Sequence, residues 1–430
     1  MDMDAVEKAM DHDIPQAITD KLAEIDAFIE AEIKPLERDN IKFFDHRREW
    51  ARTDWENDGI PRAEWSALLR EMEERADRAG FLRYGLPPEC GGGGASNLAI
   101  AVIREHLAAK GLGLHNDLQD ENSVVGNFPL VYVINRYGTP EQKAAYIEGI
   151  LTGRNHVAFA LSEPDHGSDA TWIETRAERD GGGWVINGQK RWNSQIYRAA
   201  VDLVFARTSG EPGDHRGITA FFVPVDTPGF RILYNHWTFN MPSDHAEVGL
   251  SDVCVPDSAI LGREGEGLIM AQSFIQQNRI RQAAASVGAA RYCIAETVRY
   301  ANERKTFGKT LSERQAIQFR LVELHAECEL LRTFVFKTAA ELDRQSPASV
   351  SPQVSIANYR ANRLVCQAAD EAIQIHGGIG YSRAKPFEHI YRHHRRYRIT
   401  EGADEIQMRN VAASLFGRRR PDSSNAESAK

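Results

Sequence analysis

Eight positions, Ile317, Leu321, Leu324, Cys328, Leu331, Val335, Thr338 and Leu342, step by alternating four and three residues. That spacing turns one face of a helix toward a partner for about seven turns, so the fold must supply other helices to cover it. The apolar stretch SVGAARYCIAETVRYA upstream is one such cover. A free coiled coil is the alternative, but the flanking apolar helices favour a four-helix bundle over residues 265–418.

A second helical region runs from Ile14 to about Leu151, where ITDKLAEIDAFIEAEIKPLERD puts Leu22, Ile25, Ile29 and Ile33 on one face and EWSALLREMEERADRAG repeats the pattern. The run Gly91 to Gly94 interrupts it. This run lacks both GxGxxG spacing and the Lys-Ser/Thr of a phosphate loop, and reads as a flexible connection. Between about Asn155 and Gly262 the chain changes to short β-type runs, WVING, VDLVFAR, GITAFFVPV and AEVGLSDVCV, punctuated by Gly, Pro and Asn-Gly. The chain is therefore read as α+β: an N-terminal helical domain (1–154), a middle antiparallel β-barrel or sandwich domain (155–264) and the C-terminal bundle (265–418). The polar, Pro-broken tail, 419–430, is expected to be disordered.

Composition narrows function by exclusion. A formal net charge of −9 argues against a general nucleic-acid binder, which must neutralise phosphates, although it leaves room for a local basic patch. Five widely spaced cysteines without a CxxC pair suggest neither a disulfide framework nor a zinc site. The acidic start MDMDAVEKAMDHD and the lack of any run of about 18 apolar residues point to a cytoplasmic protein with no membrane span.

Two segments in the β region invite a ligand. FALSEPDHGSDA, Phe159 to Ala170, gathers small hydroxyl and glycine residues that let backbone amides approach closely; the same residues also describe a capped turn entering the sheet. NGQKRWNSQ offers a hairpin signal at Asn187-Gly188, then the flat ring of Trp192 and the hydroxyl of Ser194, though Trp is commonly plain core.

Together with two C-terminal segments, these resemble the acyl-CoA dehydrogenases. That family carries Thr/Ser-Glu-Pro ending in Gly-Ser-Asp, then Asn-Gly-x-Lys-x-Trp-Ile-Thr; here stand Ser162-Glu163-Pro164 to Gly167-Ser168-Asp169 and Asn187 to Ser194. ERKTFGKTLSERQAIQFRL, Glu303 to Leu321, is similar to Arg-x-x-Phe-Gly-x-x-Leu-x-x-x-Gln-x-Ile, and QIHGGIG with the later Glu401-Gly402 is similar to the family's Gln-x-x-Gly-Gly-x-Gly and Glu-Gly elements.

The resemblance implies FAD as cofactor, with Leu161 and Ser162 at the isoalloxazine ring and Trp192 with Ser194 over its other edge. Ser168 would meet substrate or pyrophosphate. Arg304, Phe307 and Gln315 would reach the FAD of a neighbouring subunit, with Gln374, Gly377 and Gly378 on its adenosine side, implying a homodimer or homotetramer with shared sites. Arginine suits this task because its guanidinium grips phosphate through two parallel hydrogen bonds.

The same resemblance makes Glu401 the base that takes the α-proton while flavin N5 takes the β-hydride, with the Glu401 amide and a ribityl hydroxyl on the thioester oxygen. Read without it, Glu401 is only an acid near a helix start. No Asp or Glu lies between Glu266 and Glu296, where some relatives keep their base. Arg279 matches a family arginine that supports the base, and Gly402 falls at the substrate. Ala403 and Glu405 occupy flavin-contacting positions where Thr and Gln are usual. The implied function is dehydrogenation of an acyl-CoA, with electrons passed to an electron-transfer flavoprotein. A flavin oxidase of the same fold, or a flavin-containing binding protein with little catalysis, are the alternatives. HNDLQDENSVVGN is expected as a helix over the acyl pocket, unusually polar for a fatty chain, and the basic run Arg392 to Arg398 as a contact for CoA phosphates, an acidic substrate or a neighbouring subunit.

Overall fold

The computed structural model describes residues 14–118 and 121–417; the tail from 419 lies outside them. In the N-terminal third, α1 (Gln16–Phe28) runs on through a π turn, Ile29–Ile33, that keeps Ile25, Ile29 and Ile33 all buried. Helices α2 (Ala63–Arg78), α3 (Asn97–Ala109), α4 (Pro129–Tyr137) and α5 (Pro140–Leu151) follow. The Ser96 side chain caps α3, accepting the Ala99 amide at 3.1 Å. The glycine run ahead of α3 is not a loose connection: a Cβ on Gly92 would lie 2.0 Å from the Leu86 carbonyl oxygen. Glycine serves there because two backbones press together.

The middle region is one eight-stranded sheet: β1 (His156–Ala160), β2 (Arg176–Asp180), β3 (Gly183–Ser194), β4 (Ala199–Arg207), β5 (Ile218–Pro224), β6 (Phe230–Asn235), β7 (His245–Pro256) and β8 (Ile260–Leu261). Its order is β8-β5-β4-β2-β3-β7-β6, with β1 also beside β4. Most pairs are antiparallel, as expected, but β1 and β2 meet β4 in parallel, so the sheet is mixed. The hairpin signal at Asn187-Gly188 misleads. The β2–β3 turn lies at Gly181-Gly182, and Gly188 sits inside β3 at a register shift, where a Cβ would come 2.7 Å from Thr175 Cα. Here glycine marks close backbone approach and a bulge, not a reversal.

Helices α6 (Gly267–Glu303), α7 (Gln315–Leu342) and α8 (Pro347–His376) are the long members of the C-terminal region, and α9 (Phe387–Arg396) and α10 (Asp404–Leu415) pack on them. The periodic stripe is buried from Leu321 to Thr338, with Ile317 and Leu342 half-buried at the helix ends. Each buried leucine contributes about 1.5–3 kcal/mol. Ala101 and Ala108 of α3 join this core, so the N-terminal region closes one side of the bundle. No helix among the described residues is long and apolar enough to cross a membrane.

Candidate active site

Glu401 lies in the turn between α9 and α10, at φ +55°, followed by Gly402 at φ +92°. Successive left-handed residues cost energy and persist only where surroundings hold them. Here α6 does so: Arg279 Nε and Nη2 donate to the Glu401 carbonyl at 2.8 and 2.6 Å, and Asn278 Nδ2 donates to its carboxylate Oε1 at 3.1 Å. Gln407 donates to the Gly402 carbonyl at 3.1 Å and to Asn358 Oδ1 at 2.6 Å, while Asn358 donates to the Arg279 carbonyl at 2.8 Å. This amide ladder fixes where the carboxylate points. Ala403 sits at the N-cap of α10 and Glu405, in its first turn, is exposed.

Burial pushes the Glu401 carboxyl up to about 7, with the nearby Glu121 charge adding to the rise and Asn278, Arg279 and Arg396 opposing it. A carboxyl poised there exchanges a proton readily near neutral pH. Beside Asn278 lies a cavity of ≈ 30 Å³ whose lining includes Arg104, Asn127, Glu121, Arg281 and Tyr397. Its polar wall comes from a loop, not the expected helix: residues around His115 to Val125 are joined by isolated bridges, and Gln119 and Asp120 lie outside the described residues. Glu121, at φ +61°, pairs with Arg396 at 2.7 Å, and Asp117 with Arg52 at 3.2 Å.

The basic run therefore points inward. Arg392 pairs with Glu388 at 2.7 Å and Glu49 at 3.4 Å, and Arg398 meets Asp404 at 3.0 Å. His393 and His394 are buried, and burial holds both well below their usual range, which keeps them neutral. Among the described residues no group of three or more His, Cys, Asp or Glu is placed to hold a metal.

The strand residues form a second group. Lys190, fully buried, donates to Glu163 Oε1 at 2.8 Å and to the Leu161 carbonyl at 3.2 Å. Burial would raise the Glu163 carboxyl, but Lys190 together with the Glu174 and Thr175 amides outweighs it and holds it below the ordinary value. Next along β3, Trp192 adopts φ +70° at a bulge between Arg191 and Asn193. The bulge turns its ring outward, 48% exposed, against His236 at 4.4 Å. Ser194 Oγ lies 2.9 Å from His245 Nδ1. Burial holds the His245 ring below its usual range, with the Asp244 charge opposing it. Ser162 is half-buried and Ser168 exposed, near an open groove of ≈ 540 Å³ lined by Glu163, His166 and Thr175.

The third group lies where α6, α7 and α8 end or begin. Arg304, Phe307, Gln315, Gln374, Gly377 and Gly378 are all exposed, and Phe307, at φ +50°, is 99% so. Tyr300 stacks on His376 at 4.2 Å and ties the two helix ends together. The side chains of Arg304, Gln315 and Gln374 have no hydrogen-bond partner among the described residues, a free donor set suited to a dinucleotide. Asn278, Asn358, Gln407 and Lys190 were not singled out by the sequence, because each acts through a contact distant along the chain.

Comparisons with known proteins bear on the fold and family of the chain. Three family models match: acyl-CoA dehydrogenase N-terminal domain over residues 22–154, middle domain over 158–253 and C-terminal domain over 265–416. A 3-(aryl)acrylate reductase of Clostridium sporogenes is 33% identical over 81% of this chain and 90% of its own. The mitochondrial short-chain specific acyl-CoA dehydrogenase of Homo sapiens is 32% identical over 78% of this chain and 80% of its own. A glutaryl-CoA dehydrogenase from Mycobacterium smegmatis, solved in complex with FADH2, superposes with a TM-score of 0.76 at 26% identity, covering 95% of this chain and 96% of that one.

Proposed function

We propose that this chain, which belongs to the acyl-CoA dehydrogenase family of oxidoreductases acting on CH–CH bonds, dehydrogenates an acyl-CoA between Cα and Cβ with Glu401 as base and FAD as cofactor. The observation that carries this reading is the half-buried Glu401 carboxyl, raised to about 7 and aimed by Asn278. An α-proton of a thioester is weakly acidic, so its removal needs a positioned base and stabilisation of the enolate oxygen. Glu401 takes the proton. Its own amide, in the turn clamped by Arg279, is offered to the thioester carbonyl.

Bound FAD supplies the acceptor for the β-hydride. Leu161, Ser162, Trp192 and Ser194 would hold its ring end, and Arg304, Phe307, Gln315, Gln374, Gly377 and Gly378 would hold the dinucleotide end of a neighbouring copy in a homodimer or homotetramer. Electrons then pass to an electron-transfer flavoprotein; a relative is named as a subunit of a caffeyl-CoA reductase-Etf complex.

The test is to add plain and polar acyl-CoAs anaerobically to the holoprotein and follow flavin absorbance. Bleaching that falls about 10²–10⁴-fold in rate in Glu401→Gln is the expected result. Bleaching undiminished by that substitution would remove Glu401 from its role, and rapid turnover with oxygen as acceptor would favour the oxidase alternative.

A further inference from the structure

The bulge that turns Trp192 outward has a buried support. Lys190 and Asn193 are both fully buried although they lie three residues apart in β3, a spacing that a regular strand puts on opposite faces. The extra residue of the bulge, Trp192 at φ +70°, makes this possible, and Trp192 and Ser194 on either side of Asn193 are exposed. Each flank is tied inside: Lys190 donates to Glu163 at 2.8 Å, and Asn193 Nδ2 donates to Asp202 Oδ2 of β4 at 2.5 Å. Asn193 stands where the family pattern Trp-Ile-Thr has Ile, so the second tie is not part of that pattern.

Asp202 is poorly placed to carry a charge. It is fully buried, its register partners are Ala158 on β1 and Val223 on β5, and both belong to the apolar cluster that also holds Val204 and Ala206 of its own strand. The charge that acts on it is the Lys190 ammonium, which already pairs with the Glu163 carboxylate. One buried ammonium offsets one carboxylate, and a second would stand uncompensated. Burial accordingly raises the Asp202 carboxyl to about 7, against the opposing effects of Asn193 and Lys190. Asp202 Oδ1 and Asn193 Oδ1 both lack a hydrogen-bond partner. While Asp202 is ionised these two oxygens only accept; a proton on Asp202 supplies the donor that joins them and completes a two-bond acid–amide pair.

We propose that Asp202 is a positioning residue: protonated and paired with Asn193 through both oxygens, it holds the bulge that presents Trp192 and Ser194 to the flavin, and its ionisation releases that hold. This rests on the reading of Trp192 and Ser194 as flavin contacts. The other ionisable groups beside the bulge are His236, 4.4 Å from Trp192, His245 on Ser194, and Arg191 with Glu247.

The experiment compares the full-length wild type with Asp202→Asn, which keeps the shape and carries a permanent donor, and with Asp202→Ala, which removes both bonds. Folded Asp202 keeps a proton that the unfolded chain releases, so its contribution to stability falls as pH rises through the window between 3.8 and about 7. In denaturant unfolding the unfolding constant of the wild type, relative to Asp202→Asn, should therefore rise about tenfold per pH unit from about pH 5 and level off near 7. Glu401 and the histidines contribute equally to both chains and cancel. The ¹⁵N-indole signal of Trp192, identified by its loss in Trp192→Phe, should move with pH in the wild type by more than in Asp202→Asn. FAD affinity should stay within about twofold in Asp202→Asn and fall about 10-fold in Asp202→Ala. Identical pH dependence of unfolding in wild type and Asp202→Asn would show no extra proton and overturn the proposal. An extra proton with an indole signal that follows pH identically in both chains would overturn the positioning role. If Asp202→Ala fails to fold, the comparison of wild type with Asp202→Asn decides alone. An indole signal that responds while FAD affinity in Asp202→Ala is unchanged supports the hold on the bulge and strikes the flavin reading instead.

Discussion

Around Glu401 and Lys190 the polar groups are engaged largely from within the chain, whereas at the helix ends carrying Arg304, Gln315 and Gln374 these side chains have no partner among the described residues. Both regions hold residues assigned to one cofactor site, yet they are built in opposite ways. Preorganisation explains the first, since a base misplaced by about 1 Å loses much of its rate. The second can afford free donors only because exposed arginine and glutamine remain solvated until a ligand displaces the water. On the proposed reading, the chain fixes its reacting geometry alone and leaves the grip on the dinucleotide to a neighbouring copy.

Substitutions can break this contrast. Lys190→Met strands Glu163 in the interior, and loss of one partner from a buried pair costs about 3–5 kcal/mol, measurable by denaturant unfolding. A loss under about 1 kcal/mol would mean that the inner region is not wired as described. Arg304→Ala should leave folding within about 0.5 kcal/mol of wild type while weakening FAD by about 10–100-fold in equilibrium dialysis. Unchanged FAD affinity would dissolve the distinction from the other side. The smallest effect is expected from Glu121→Gln. Removing that negative charge lowers the Glu401 pKa, so the acid limb of the kcat/KM profile should move from about 7 to lower pH, by up to about one unit. Movement to higher pH would contradict the sign.

The raised carboxyl also links pH to folding. The folded chain keeps a proton on Glu401 between 4.5 and about 7 that the unfolded chain releases, so this group's contribution to stability falls as pH climbs through that window.

What could be read from the sequence was local. The stripe from Leu321 to Thr338 is buried as its spacing predicts, because periodicity reports directly on one helix face. Glu401 and Gly402 were singled out through resemblance and not from helix-start chemistry, and their left-handed backbone was not foreseen. Contacts across the chain were not legible: Asn278 meets Glu401 from 123 residues away, and Arg396 meets Glu121 from 275 away. Nor does a string such as RHHRRYR state which cations go inside, and only the pairings of Arg392 with Glu49, Arg396 with Glu121 and Arg398 with Asp404 answer that. Asn187-Gly188 misled because a bulge and a turn use the same glycine freedom.

Seven described residues other than glycine have positive φ, and four of them, Glu121, Trp192, Phe307 and Glu401, line the cavity or belong to the proposed cofactor and base positions. For protein engineering this sets a boundary. A search for stabilising substitutions would choose these four first, since glycine relieves about 1–3 kcal/mol of backbone strain at such positions. Each replacement would also delete the side chain that the strained backbone aims. Thermal hardening of this protein is therefore better sought at Gln195 or Asp252, where the same backbone shape lies outside the proposed chemistry.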